Sequence, residues 1–490
     1  MSWKETAAPV LTRMPTVARP EGHVPFRRKL GWTAGVLVLY FFLTNVYLFG
    51  TGGQGSGDPY GQFRSILAGG QGTVLHLGIG PIVTASIVLQ LLGGANLLGL
   101  DTSNPRDQAL YQGLQKLLVV VMICLTGLPM VFMGGMIQPN TQLGAQLGVG
   151  VVGVQWLIFA QLFVGGLLVL FMDEVISKWG VGSGIGLFII AGVSQRLIGG
   201  LIRWPGLGSG SGTGFFVAWF KILTGEIPIG PPLSPQGLEA IFMDPGQIVA
   251  LFTTVLIFVI VVYAESVRVE IPLSHAKVRG ARGRFPVKLI YASVLPMILV
   301  RALQANIQFI GRILYGQIGG QMPNWLGTYQ TTQAGLQPTG GLFYYFAPIR
   351  SQNWIGALST QPGEILLRIG VDLSFMVLGG ALFAMFWVET TDMGPEATAK
   401  QIQDSGMQIP GFRRNPGVME KVLERYIPQV TVIGGALVGL LAVGANMLGT
   451  IGGVSGTGLL LTVSITYKLY EEIAEEQLME MHPVMRDMFG

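Results

Sequence analysis

The sequence predicts an all-α polytopic membrane protein with ten transmembrane helices in two inverted five-helix halves. Three observations support this fold class. Half of the 490 residues are hydrophobic and only 11% are charged, whereas a soluble domain carries about 25% charged residues. Apolar runs of spanning length recur along the chain, and the Lys and Arg residues between them are unevenly distributed. The composition excludes both a water-soluble protein of this size and a disordered scaffold.

Ten apolar runs approach the ~20 residues that a helix needs to cross a hydrocarbon core of ~30 Å. The fifth and tenth are short or interrupted by glycine. The runs are approximately Leu30–Phe49, Val74–Leu92, Leu114–Gly135, Val151–Met172, Gly184–Gly200, Gln247–Tyr263, Leu289–Ile310, Ile369–Val388, Ile427–Leu448 and Gly458–Tyr470. Because each half holds an odd number of runs, the second half is inverted relative to the first, which predicts an inverted repeat.

These runs divide the chain into segments. An N-terminal segment (1–29) precedes the first half (30–200). An external connection (201–246), rich in Gly and Pro, leads to the second half (247–475) and a tail (476–490). We expect no separate globular domain in the long connections.

The basic residues predict the orientation. When the N-terminus and the even-numbered loops are put on one side, 22 of the 30 Lys and Arg residues lie there and 7 lie on the other side, with Arg301 inside a run. The positive-inside rule therefore predicts a multi-pass protein of the cytoplasmic membrane with both termini cytoplasmic. Two long loops on this side, 265–288 and 389–426, are strongly basic.

The chain offers little for catalysis or metal binding. It has one cysteine, Cys124, and four histidines that are far apart in sequence, so a disulfide or a multi-thiolate metal site is excluded. No P-loop motif occurs, and we expect no cofactor, no metal and no enzymatic activity. Asp372 and Glu389 lie near the ends of the eighth run. A secondary transporter with an inverted repeat and a membrane-embedded enzyme, such as a lipid-modifying transferase, remain open, although the lack of central acids counts against both.

Segment Asp58–Ala68 differs from the other connections because it is half apolar yet too short to span. Its candidate residues are Tyr60, Phe63, Arg64, Ile66 and Leu67. Irregular backbone at membrane depth is tolerated only inside protein or beside water. The segment is therefore either a re-entrant helix within a cavity or an amphipathic surface turn.

Four motifs along the chain resemble one known family. Gly78–Leu92 reads GIGPIVTASIVLQLL, Gly182–Gln195 reads GSGIGLFIIAGVSQ, residues 295–308 read LPMILVRALQANIQ, and Gly456–Glu472 reads GTGLLLTVSITYKLYEE. Together they resemble the SecY family in its archaeal form, the channel subunit of the Sec protein translocon. The resemblance implies a central pore that conducts unfolded polypeptides and releases hydrophobic segments into lipid. It also implies an apolar ring at the waist of the pore and a plug helix beneath it.

The resemblance assigns the ring to six positions. These are Ile79, Val83, Ile185, Ile189, Ile298 and Leu461. The spacing of the first two pairs, i and i+4, puts each pair on one helix face. A narrow apolar constriction excludes water and ions. From the residues alone, lipid-facing or core positions are the more common role of such side chains, and only the resemblance favours a ring.

The resemblance identifies segment 58–68 with the plug, and the second and third spans facing the seventh and eighth with a lateral gate. The polar gate residues correspond to Thr84, Gln115 and Asn306. Arg301 departs from the family pattern, because a charged side chain in mid-membrane must be hydrated or paired. We expect it to face water or a polar partner near Asn306 and Gln115.

The two basic loops correspond to loops that dock on the ribosome. The candidate docking residues are Lys277, Arg279, Arg282, Arg284, Arg413 and Arg414. Contacts of Lys and Arg with RNA phosphates would make the affinity depend on salt; the alternative is the positive-inside bias or contact with anionic lipid. The resemblance further implies small single-span partner subunits (SecE-like, and a beta or SecG-like subunit), the nascent polypeptide with its signal sequence, and membrane lipid.

Overall fold

The fold is taken from a computed structural model. It describes residues 8–9, 11, 13–22, 24–52, 63–94, 98–99, 104–133, 137–204, 213–228, 230–231, 234–243, 246–275, 282–288, 295–318, 321–332, 335–349, 353–391, 393–404, 407–408 and 416–481.

Ten helices correspond in order to the ten predicted runs, and we number them α1 to α10. They are α1 (Phe26–Leu43), α2 (Gly80–Gly94), α3 (Pro105–Phe132), α4 (Gly150–Trp179), α5 (Gly184–Ile202), α6 (Ile248–Ser266), α7 (Leu295–Ile318), α8 (Pro362–Thr390), α9 (Pro416–Leu448) and α10 (Gly456–Met481). Within the described residues, seven of these, α3 to α9, are long and apolar enough to cross a membrane. Helix α2 is shorter, α1 opens with three cations, and α10 ends in charged turns.

Local sequence signals set several helix starts. At the start of α3, the Asn104 side chain accepts a hydrogen bond from the backbone N–H of Arg106 at 3.1 Å, and Pro105 occupies the first helical position. This is the preferred N-terminal chemistry of a helix, because a polar side chain satisfies an otherwise unpaired N–H and proline has none to satisfy. Pro362 likewise occupies the first position of α8, but no side-chain hydrogen bond caps that helix.

Several helix boundaries differ from those of the predicted runs. Helix α1 ends at Leu43 rather than Phe49, and α2 begins at Gly80 rather than Val74. The chain before α2 folds into turns, where Gly78 has a φ of +55°, a conformation that glycine adopts without strain. Helix α10 continues to Met481, well past the predicted end at Tyr470, because its apolar face gives way to glutamates that favour helix in water.

The core is one large apolar cluster to which all ten helices contribute, and a smaller cluster joins the last turns of α8 to the first turns of α9. Helices α8 and α9 approach most closely where glycines face each other. A Cβ atom on Gly435 would lie 2.5 Å from the carbonyl oxygen of Gly380, and one on Gly439 would lie 2.4 Å from that of Met376. Small residues four apart allow such backbone contact between membrane helices.

The connections contain elements that the sequence had not predicted. Strands β1 (Arg268–His275) and β2 (Arg282–Lys288) form an antiparallel hairpin, and β3 (Thr328–Thr332) pairs with β4 (Gly335–Gly340). Strand β5 (Met407–Gln408) pairs with β1, which gives a three-stranded sheet of order β2-β1-β5. Further unpredicted short helices form at Thr141–Gln146, Phe215–Leu223, Pro235–Phe242, Leu342–Tyr345, Asn353–Thr360 and Pro395–Asp404, with a 3₁₀ turn at Ile451–Gly453, whereas the short helix Arg64–Leu67 lies in the segment predicted as the plug.

Candidate functional site

The six predicted ring residues all belong to the large apolar core cluster, and they lie on or directly before α2, α5, α7 and α10. Five of them are buried, and Ile185 is partly buried against the same cluster. Helix α2 packs against α7, and α5 packs against α10. Ile79 precedes the first turn of α2, but its carbonyl accepts from the N–H of Val83 at 3.0 Å, so the expected helical relationship of this pair is present.

The short helix Arg64–Leu67, which we call the plug helix, packs against α5, α7 and α10, three of the four helices that carry the predicted ring residues. Phe63, Arg64, Ile66 and Leu67 are all at most 4% exposed. The described part of the segment, 63–68, is therefore buried, which favours a re-entrant helix over an amphipathic surface turn. Tyr60, also predicted to belong to the plug, lies outside the described residues.

Two hydrogen bonds hold the end of the plug helix to α1 and to the residue before α2. The hydroxyl of Tyr40 in α1 donates to the carbonyl oxygen of Ala68 at 2.8 Å, and the N–H of Ile79 donates to that of Leu67 at 2.8 Å. Tyr40 also stacks on Phe188 of α5, with ring centroids 4.9 Å apart. Sequence reasoning missed Tyr40, because an aromatic residue in an apolar run carries no signal of its own.

The buried cation of the plug helix, Arg64, is held by the turn before α2. Its Nη1 donates to the carbonyl oxygen of His76 at 2.9 Å, and its Nη2 lies 3.2 Å from each ring nitrogen of His76. The N–H of Gly72 donates to Nδ1 of the same imidazole at 2.9 Å. The plug helix is thus tied to the chain that leads into the ring through a charged as well as an apolar contact.

Among the described residues, a hydrogen bond between Asn306 and Thr84 joins the two halves at the predicted gate. Asn306 of α7 donates from Nδ2 to the hydroxyl of Thr84 in α2 at 3.0 Å. A small cavity beside it is lined by Leu67 of the plug helix and by residues of α2, α3 and α7. Gln115 instead donates to Ser86 at 3.4 Å, so its described bond joins α2 to α3 within the first half and not across the seam.

Arg301 lies elsewhere than predicted. It is only 1% exposed, and its hydrogen bonds run to Thr457 Oγ1 (3.2 Å, from Nε), Gln304 Oε1 (2.6 Å, from Nη1) and Asp372 Oδ1 (3.5 Å, from Nη1). The expected position near Asn306 and Gln115 was wrong. The side chain joins α7 to α8 and α10 inside the second half, although the expectation of a polar partner was correct.

The description of Asp372 as lying near the end of a run also has to be corrected. It is fully buried, at 0% exposed, well inside α8. Its Oδ1 also accepts from Gln304 Nε2 at 2.9 Å, and Asn446 of α9 donates to Thr457 Oγ1 at 3.0 Å. The network therefore joins all four helices α7 to α10. The sequence contained a signal for this ion pair, because Arg301 and Asp372 are opposite charges in two successive apolar runs.

The two basic loops come together on one face. Loop 265–288 forms the β1–β2 hairpin, and loop 389–426 supplies β5 to the same sheet. Of the predicted docking residues, Arg282 and Arg284 lie on β2. Lys277, Arg279, Arg413 and Arg414 lie outside the described residues.

The segments at the two ends of the chain meet at one end of the helix bundle. The N–H of Phe26 donates to Glu480 at 3.0 Å, and Lys29 pairs with Glu476. Lys178 donates to the carbonyl oxygen of Val17 at 2.5 Å.

Within the described residues, no group of His, Cys, Asp and Glu side chains is arranged to hold a metal ion.

Comparisons with known proteins agree with this architecture. The SecY family model matches residues 73–470, and the model for the plug domain of Sec61p matches residues 38–72. The chain belongs to the SecY family. It is 71% identical to the protein translocase subunit SecY of Haloarcula marismortui, over 100% of both chains, and 48% identical to that of Archaeoglobus fulgidus, over 98% of both.

Solved channels have the same fold. A protein-conducting channel structure matches with a TM-score of 0.78 and 37% identity, covering 97% of this chain and 98% of the other. Sec61 in the canine ribosome–channel complex matches with a TM-score of 0.74 and 35% identity, over the same shares of the two chains. As a member of the SecY family, this chain is a multi-pass membrane protein and the channel subunit of a protein translocase. The transporter alternative is thereby set aside.

Proposed function

We propose that the six ring residues form the constriction through which unfolded polypeptides pass, and that segment 58–68 closes it. The observation that carries this proposal is the hydrogen bond from the N–H of Ile79, a ring residue, to the carbonyl of Leu67 in the plug helix. The packing of the plug helix against α5, α7 and α10 adds support.

An apolar constriction suits this role. Water and ions enter a narrow apolar passage unfavourably, whereas a passing chain displaces the flexible side chains of isoleucine, valine and leucine. The plug adds a second barrier, since Phe63, Ile66 and Leu67 belong to the same apolar cluster as the ring.

Hydrophobic segments would leave through the seam that has α2 and α3 on one side and α7 and α8 on the other. The Asn306–Thr84 hydrogen bond crosses this seam. Hydrogen bonds between membrane helices average about 0.6 kcal/mol, which is small enough for the seam to open when a signal sequence competes for it. Arg301 then acts behind the gate, where it keeps α7, α8 and α10 together.

The basic loops are proposed to dock the ribosome, including its RNA. One sheet contains strands from both loops, so their charges would act as one surface toward phosphates. The relative in the canine complex is itself bound to a ribosome. Phosphate contacts release counterions, which predicts an affinity that falls with salt.

The remaining partners and the orientation are part of the proposal. We assign the chain to the cytoplasmic membrane with both termini cytoplasmic, which the charge bias and the contact of the two terminal segments support. We expect SecE-like and beta or SecG-like single-span subunits, the nascent polypeptide and lipid as its partners. The chain would perform no covalent chemistry and need no cofactor.

Cysteine cross-linking tests the ring. After Cys124→Ser removes the single native cysteine, a cysteine at Ile189 or Ile298 in the reconstituted complex should cross-link to an arrested translocating chain. Val259, which is 56% exposed on the outer face of α6, is the matched control and should not. Equal cross-linking at all three positions, or cross-linking only at Val259, would refute the ring assignment.

A further inference from the structure

The last turns of α10 are rich in glutamate, and one of these glutamates contacts the basic hairpin. Residues past Tyr470 include Glu471, Glu472, Glu475, Glu476 and Glu480. Glu471 differs from its neighbours because one carboxylate contacts two cations. Its Oε1 lies 3.5 Å from Nη2 of Arg268, and its Oε2 binds Nζ of Lys288.

These two cations occupy a specific place in the hairpin. Arg268 and Lys288 are paired in the β1–β2 ladder and form its end nearest the membrane helices. Lys288 also lies over the ring of Tyr467, one turn before Glu471, at 5.5 Å from the centroid. The base of the hairpin is therefore attached to α10 at two successive turns.

We infer that Glu471 is a positioning residue that fixes the β2-β1-β5 sheet, which we call the docking sheet, to α10. A mechanical force on this sheet would then reach the proposed pore ring through one continuous helix. The inference rests on the proposed docking function. Leu461, a ring residue, precedes Glu471 on the same helix by a distance of about 15 Å, from the rise of ~1.5 Å per residue. Strand β5 pairs with β1, so the second basic loop would be held through the same attachment.

The size of the effect follows from the exposure of the three side chains. They are 29% (Glu471), 42% (Arg268) and 35% (Lys288) exposed. Isolated pairs of this kind contribute little because water screens them. The carboxylate of Glu471 has a larger effect than an isolated pair because it binds two cations at the base of the hairpin. Without it, the whole hairpin is free to move as a unit.

Hydrogen exchange of the full complex, without ribosomes, tests the attachment. Glu471→Gln should speed amide exchange in β1 and β2 by roughly threefold, the size expected for losing a small ion-pair network at the root of a local unit. Glu475→Gln is the matched control, because Glu475 is an exposed glutamate one turn further on α10 and makes no ion pair with another described residue. Unchanged exchange in Glu471→Gln, or an equal increase in Glu475→Gln, would overturn the inference.

Ribosome binding separates this inference from the docking function. Arg279→Glu with Arg413→Glu tests docking itself. If that variant loses affinity, Glu471→Gln should lose roughly threefold as well, and Glu471→Asp, which keeps the charge, should recover most of it. Loss in the arginine variant with full affinity in Glu471→Gln would refute the positioning role alone. Full affinity in the arginine variant would refute docking, and faster hairpin exchange in Glu471→Gln would still support the attachment.

Discussion

The backbone N–H of Ile79 donates a 2.8 Å hydrogen bond to the carbonyl oxygen of Leu67. This bond joins the first of the proposed ring residues to the last residue of the plug helix, and it depends on the turn at Gly78. A Cβ atom at Gly78 would lie 2.1 Å from the same carbonyl oxygen. The contact between plug and ring is therefore possible only with glycine at this position.

Replacing Gly78 should consequently release the plug. Gly78→Ala adds backbone strain of about 1–2 kcal/mol at its positive φ together with a clash with Leu67, and we expect a higher resting ion conductance of the reconstituted channel in planar bilayers. Gly72→Ala is the control, since Gly72 has a φ of +68° and no atom within 4 Å of a built Cβ. Equal conductance in the two variants would mean that the clash does not move the plug.

The second prediction concerns the ring. Val83→Thr replaces a methyl group by a hydroxyl of the same size at a side chain that is 2% exposed. The polar group should hydrate the constriction, so we expect more ion leakage and acceptance of less hydrophobic signal sequences. An Ile185→Asn variant should act in the same direction. Wild-type leakage and signal stringency in both would count against the assignment.

The third prediction concerns the gate. Thr84→Val and Asn306→Leu each remove the bond between α2 and α7, so each should ease opening by about 0.6 kcal/mol. The double variant should show little further effect, because the two side chains share one bond. The measurement is the minimum signal hydrophobicity that supports translocation. Gln115→Leu is the control, since its described bond stays within the first half; a shift as large in this variant would contradict the prediction.

The fourth prediction concerns the buried ion pair. Asp372→Asn leaves the guanidinium of Arg301 buried without a counter-charge, and breaking a buried pair typically costs about 3–5 kcal/mol. We expect a clearly lower thermal midpoint of the purified complex. Arg301→Gln combined with Asp372→Asn removes both charges and should recover most of the stability and remain active, with an altered ease of gate opening. A double variant no more stable than Asp372→Asn would show that the charges do not act as a pair.

The fifth prediction concerns docking. Arg279→Glu and Arg413→Glu should weaken ribosome binding at low salt, because each replaces attraction to phosphate by repulsion. The difference from the wild-type protein should shrink as salt rises, since screening already weakens the wild-type contact. Binding assays across a salt series measure this. Undiminished binding at low salt would leave orientation or lipid contact as the role of these arginines.

The sequence by itself determined the number and order of the helices, because spanning a membrane requires long apolar runs that any segment reveals on its own. The orientation could likewise be predicted from local sequence, because it depends on the Lys and Arg counts in the loops beside each run. The resemblance of four motifs predicted the family and a plug between the first two spans, and the comparisons bear out the family.

Only the tertiary structure decided which polar groups meet. Arg301 was expected beside Asn306 and Gln115 and instead binds Asp372, Gln304 and Thr457. The contacts of Arg64 with His76 and of Glu471 with Arg268 and Lys288 likewise join residues whose helices or turns must first be packed together. A buried charge must find a partner, but the partner depends on how each helix is rotated and which helices are neighbours. Packing of the whole bundle sets both, and no single run of the sequence contains that information.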